Sequence, residues 1–148
     1  MSMFAAFNIN ASGMTSQRYR MDVISENVAN ANTTRTEDGT PYVRKVVTFA
    51  EKNVNRTSFS KVFGNAKSAY TGQGVKVDGL YEDTETEMNK VYDPSHPDAD
   101  DDGYVTYPNV NIVQEMTNLI DASRAYEANA TAFNASKNIA LKGLELTQ

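Results

Sequence analysis

Both ends of this 148-residue chain carry long apolar seams at helical spacing, and the stretch between them keeps neither. At the front, Met3, Phe7, Met14, Met21, Ile24, Val28 and Ala31 occupy a and d positions of one heptad frame, with Asn10 and Gln17 as its polar members. At the back, Met116, Leu119, Ser123, Tyr126, Ala130, Phe133, Ala140 and Leu144 keep the same alternation of threes and fours. That spacing stacks side chains on one face of a helix, the geometry of coiled-coil packing. A chain that holds its best packing surface at its termini is built to pack helices, against each other and against other molecules. It points toward assembly rather than catalysis.

The boundaries of these helices are partly written in the sequence. Residues 1–31 contain no proline and a single glycine, Gly13, which predicts a helix with a kink or a start near Ser12-Gly13, Ser12 serving as its cap. The Asn- and Thr-rich run 30–41 ends it in a polar loop, because these side chains bond their own backbone. Residues 42–49 and 74–81 change period and read as strands, and Gly103 to Tyr107 as a short third one. Residues 51–72 are weakly patterned and read as an extended loop, and 92–108, with three of the four prolines, as an irregular acidic turn region. From Asn109 onward the pattern is helical again. Asn111 and Gln114 resemble a capping box just after Pro108, and neither glycine nor proline interrupts 109–142. Such a helix is roughly 50 Å long. Its alanines fall on more than one face, as in a helix buried among several neighbours. The expected class is α+β: long N- and C-terminal helices pairing as a coiled coil around a small, irregular, β-rich centre. The divisions are 1–34, 35–108 and 109–148, the two terminal parts forming one helical domain.

Charge is unevenly distributed. Residues 82–102 hold nine acids against Lys90 alone, while 35–76 hold eight bases against three acids. Adjacent stretches of opposite sign suit complementarity between subunits, although a mixed solvated surface fits the same numbers. The bases are neither clustered nor interleaved with aromatics, which argues against nucleic acid.

Candidate chemistry is sparse. There is no cysteine, hence no disulfide or thiolate site, and no apolar run of membrane-spanning length. The first residues lack a basic segment followed by a continuous apolar core, so no cleaved secretory signal is expected. Asp98, Asp100 and Asp102 fall at the first three ligand positions of a calcium loop, with Gly103 at its sharp turn and Val105 at its apolar position. The closing position is Asn109 after Pro108, which cannot supply a bidentate carboxylate, and Pro94 and Pro97 forbid an entering helix. An acidic turn is the simpler reading. His96 is the only histidine and has no identifiable orienting partner. Gly72-Gln-Gly74 lacks the third glycine of a dinucleotide loop and reads as a turn into a strand. Neither a catalytic residue nor a cofactor is expected.

The stretch Ala11-Ser-Gly-Met-Thr-Ser-Gln-Arg-Tyr-Arg-Met-Asp-Val-Ile-Ser-Glu-Asn-Val-Ala-Asn-Ala-Asn-Thr-Thr34 closely resembles the N-terminal motif of bacterial flagellar axial proteins, the rod and hook family. Residues 91–111 and 122–137 resemble the acidic loop and C-terminal helix of its proximal rod subunits. The likeness covers about two-thirds of the chain and is weakest over residues 50–72. It implies a non-enzymatic subunit of the basal-body rod, exported uncleaved by the flagellar type III apparatus and crossing the periplasm in the assembled shaft. Its implied partners are itself, other rod proteins, and motor-ring and distal rod subunits as neighbours. The residues expected to pack subunits together are Met14, Met21, Ile24, Val28, Met116, Leu119, Tyr126, Ala130, Phe133, Ala140 and Leu144. Asn10 and Gln17 are candidates for setting register among similar helices. The rivals are another axial subunit, or a small calcium-responsive adaptor whose helices bind a partner reversibly.

Overall fold

A computed structural model describes residues 3–52 and 73–145. In chain order the elements are α1 (Met3–Ala29), β1 (Lys45–Glu51), β2 (Val75–Glu82), β3 (Asn89–Tyr92), β4 (Tyr104–Tyr107) and α2 (Ile112–Glu145). The class is α+β, as expected: two long terminal helices with small sheets between them.

Helix α1 runs unbroken through Ser12 and Gly13, so the expected helix start and cap there are corrected. The Ser12 hydroxyl does not cap a helix start; it donates to the Ile9 carbonyl at 2.7 Å, one turn back. Thr15 and Ser25 bond back to Ala11 and Met21 in the same way, which keeps their hydroxyls satisfied within a continuous helix. The helix ends where the Asn30 side-chain amide donates to the Glu26 carbonyl, the following turn closing with Thr33 N–H on the Asn30 carbonyl.

Strands β1 and β2 form one two-stranded sheet and β3 and β4 another. The Lys52 N–H meets the Gly74 carbonyl and the Asp83 N–H meets that of Arg44, so β1 and β2 run antiparallel. Strand β3 lies within a stretch whose turn signals and acids hide a strand of only four residues. It is recovered by pairing: Asn89 opposes Tyr107, Lys90 Thr106, Val91 Val105 and Tyr92 Tyr104. The 93–103 connection is pinned by Asp93 N–H on the Gly103 carbonyl and by Gly103 at φ 82°, a left-handed turn that glycine adopts without strain. Helix α2 starts at the predicted cap: Asn111 Oδ1 accepts the N–H groups of Val113 at 3.0 Å and Gln114 at 3.2 Å. Its 34 residues give the expected length of about 50 Å. The loop expected over 51–72 lies, from residue 53 on, outside the described residues.

The chain divides into two compact units. Among the described residues, one comprises 3–19, 49–52, 73–78 and 122–145, and the other Arg20–Thr48 and Gly79–Asp121. In the first, the Phe7 and Phe133 rings meet edge to face at 5.0 Å, and Gly13 lies beneath Asn129, where a Cβ would fall 2.6 Å from Oδ1. Contacts that ascend α1 while descending α2 make the pairing antiparallel. The Val75 N–H donates to the Ser12 hydroxyl at 3.1 Å, which ties the start of β2 to α1. In the second unit, Val23, Ile24, Ala31, Tyr42, Val105 and Pro108 are buried together with Asn27, Asn109 and Glu115. A small apolar core thus surrounds a set of polar groups, and each of these must find partners inside.

Candidate functional site

Those buried polar groups form one connected node within the second unit. Glu115, in the first turn of α2, is 1% exposed. Its Oε1 accepts the Arg44 Nε–H at 3.0 Å and an Nη2–H at 2.8 Å, and its Oε2 accepts the Asn27 amide at 3.1 Å. Arg44 also donates from Nη1 to Asp83 at 3.2 Å. Asn27 donates to the Lys45 carbonyl at 2.8 Å, and its Oδ1 accepts both the Lys45 N–H and the Tyr42 hydroxyl at 2.9 Å. Asn109 repeats the device: Oδ1 accepts the Arg44 N–H at 2.9 Å, and Nδ2 donates to the carbonyls of Asp83 and Thr86. Two asparagines, acting as both donor and acceptor, replace the backbone partners that β1 and the loop after β2 lack at their ends.

The electrostatics follow from this packing. Burial pushes the Tyr42 phenol up to about 12, and the carboxylates of Glu26, Glu115 and Glu82 add to the shift. Burial acts to lower Arg44, but the hydrogen bonds and charges of Glu115 and then Asp83 outweigh it and hold the guanidinium more basic than usual. Asp83 is held below the ordinary carboxylate range, first by the Thr86 N–H and hydroxyl and then by Arg44. Arg35 lies 3.7 Å from Asp98, so part of the complementarity between the basic and acidic stretches is satisfied within the chain.

The acidic loop is likewise self-satisfied. Asp98 accepts the Thr34 hydroxyl at 2.8 Å and faces Arg35. Asp100 Oδ1 instead closes a turn on the N–H groups of Asp102 and Tyr104. Among the described residues no three carboxylate or imidazole groups stand together as metal ligands, and Asp98, Asp100 and Asp102 do not converge. The His96 Nδ1 accepts the Asp98 N–H.

The residues expected to pack subunits are divided. On α1, Ile24 is buried, and Met14, Met21 and Val28 are half-buried. On α2, Leu119, Ala130, Phe133 and Ala140 are half-buried, while Met116, Tyr126 and Leu144 are exposed. The least exposed line on α2 runs instead through Glu115, Asn118, Ala122, Ala125, Asn129, Phe133 and Ser136, rotated from the apolar seam. Small and polar side chains face inward there, as Gly13 against Asn129 illustrates. Met116 and Tyr126 of the seam, with Val113 and Ile120 beside it, therefore stay exposed. Sequence reasoning missed Asn27, Arg44, Asp83, Asn109 and Glu115. The one available signal was Glu115 as an acid in the first turn of a helix, where the helix dipole favours negative charge.

Comparison with known proteins adds a family to this geometry. The model described as "Flagella basal body rod protein" matches residues 7–35, spanning most of α1 and its closing turn. The model described as "Flagellar basal body rod FlgEFG protein C-terminal" matches 101–146, spanning β4 and α2. The flagellar basal-body rod protein FlgC of Bacillus subtilis (strain 168) is 43% identical over 152 aligned residues, covering 99% of each chain. The chain belongs to the FlgC family. The FlgC of Borreliella burgdorferi is 42% identical over 100% of this chain and 99% of its own length. That of Escherichia coli O6:H1 is 40% identical over 100% of both. Within this FlgC-family chain the two matched segments carry Asn27 and Glu115, which bond each other directly. Residues 44 and 83, which complete the node, lie between them.

Proposed function

We propose that this chain is a structural subunit of the proximal part of the flagellar basal-body rod. It polymerises with other rod proteins into the hollow shaft that carries torque from the motor ring to the hook. The observation that carries this reading is the end-to-end match to FlgC basal-body rod proteins of similar length. The node supports it, because Asn27, Arg44, Asp83 and Glu115 are engaged in holding helices and strands together. The exposed apolar side chains Val113, Met116 and Ile120 of α2 support it too, since stiffness in a shaft requires many close helix contacts between subunits. No described helix is long and apolar enough to cross a membrane. The protein acts as a non-enzyme, in the basal body where it crosses the periplasm, exported without cleavage by the flagellar type III apparatus. Its neighbours there are itself and other rod subunits, with the motor ring and distal rod beyond. The two terminal parts, 1–34 and 109–148, form the axial helical domain and 35–108 adjusts the fit. Deleting the gene and imaging basal bodies tests this: truncated or missing rods and lost motility are expected. Normal rods and normal motility in the deletion strain would overturn it.

A further inference from the structure

The geometry points to a covalent modification site at the turn end of the β3–β4 hairpin, where Tyr92 and Tyr104 are placed to be joined by one-electron oxidation into a dityrosine crosslink. The register pairs the two residues directly, so both side chains stand on the same face of the hairpin. Theirs is a non-hydrogen-bonded pair. The Tyr104 N–H and C=O both turn to Asp100, and the next pair along carries the ladder bond, from the Asp93 N–H to the Gly103 carbonyl. Side chains approach most closely at such a pair, and here the ring centroids are 5.3 Å apart at 66°. Gly103 leaves room for this approach, since a Cβ on it would fall 2.9 Å from Tyr92 Cε2.

Tyr92 and Tyr104 are 65% and 43% exposed, so an oxidant reaches both rings. Among the described residues neither hydroxyl has a hydrogen-bond partner, and none holds either ring against turning about its Cβ–Cγ bond. Theirs is also the only tyrosine–tyrosine ring contact among the described residues. Tyr107 stands on the other face of the hairpin, opposite Asn89. The co-reactant is a peroxide acting through a haem peroxidase. Each phenol gives up one electron and its hydroxyl proton, and the peroxide takes both electrons and both protons and leaves as two waters. The two phenoxyl radicals join through one Cε each, and the hydrogens on those carbons move to the phenol oxygens. The new bond closes residues 92–104 into a covalent loop, which restricts the unfolded chain as a disulfide does. It fixes the acidic turn whose Asp98 meets Thr34 and Arg35. The site depends on the folded hairpin and not on the rod-subunit reading.

The full-length chain in dilute solution is treated with hydrogen peroxide and a haem peroxidase, then cleaved before its aspartates. Fragments 83–92 and 102–120 should come off joined, two hydrogens lighter than their sum and with dityrosine fluorescence, in a yield independent of chain concentration. Tyr92→Phe and Tyr104→Phe should each lose the joined fragment and leave the circular-dichroism spectrum unchanged, because each removes only a hydroxyl without a partner. Tyr107→Phe should keep it. A joined fragment that persists in either of the first two variants, or a yield that rises with chain concentration, would overturn the site. So would absence of the joined fragment from the treated wild-type chain.

Discussion

Arg44 and Glu115 join segments far apart in the chain, Arg44 bonding Glu115 and Asp83 and Glu115 bonding Arg44 and Asn27. Truncating one partner leaves the other buried and unpaired, which costs more than the pair itself contributes. Glu115→Ala should therefore destabilise the chain by about 3 kcal/mol in urea unfolding, the low end for a buried pair since the Arg44 side chain is a quarter exposed. A loss below about 1 kcal/mol would mean water replaces the carboxylate without cost. The titrating groups of the node set opposite limits in pH. Tyr42 has its folded value raised, so its contribution is fully present below pH 10.0 and is lost as pH rises toward about 12. Asp83 has its folded value lowered, so its contribution is present above about pH 4 and is lost as pH falls through that lowered value. Tyr42→Phe should flatten the alkaline arm of a melting-temperature profile and leave the acid arm unchanged; an unchanged alkaline arm would show that another group sets it.

At the scale of elements, two positions test how the helices are held. Gly13 costs α1 up to about 1 kcal/mol of helix propensity relative to alanine, yet an alanine Cβ would sit 2.6 Å from Asn129 Oδ1. Asn129 can move only by giving up its 2.7 Å bond to the Ala125 carbonyl. Gly13→Ala alone should thus destabilise by about 1 kcal/mol, the clash outweighing propensity. Combined with Asn129→Ala it should be neutral or stabilising, and strict additivity in that double-mutant cycle would refute the close approach. Asn111→Ala removes the oxygen that accepts two N–H groups at the start of α2 and should cost about 1 kcal/mol by the same measurement. The Asn111 cap was legible because cap chemistry is local. The Ser12 cap was not, because an identical hydroxyl inside a helix bonds backward, and only the chain arriving at Val75 fixes its second partner.

At the scale of the molecule, the exposed Val113, Met116 and Ile120 of α2 lead to the prediction that folding is completed on assembly. In dilute solution the isolated chain should show less helix by circular dichroism than the 27 and 34 residues of its two helices, with amides near Leu141 exchanging fast and those near Asn27 slowly. Full, cooperative helicity with uniform protection would argue that folding precedes assembly.

Period and punctuation alone determined the two terminal helices, three of the four strands, the cap at Asn111 and, through motif resemblance, the rod family, since each depends on residues close in sequence. The tertiary structure decided which face of α2 turns inward, that β3 exists, and that Asn27, Arg44, Asp83, Asn109 and Glu115 form one node. Heptad spacing marks where apolar residues lie. It does not say whether they or the small and polar residues beside them meet the partner helix. Here the close approach of Gly13 to Asn129 and the bond from Asn27 to Glu115 turn the polar line inward and leave Val113, Met116 and Ile120 exposed.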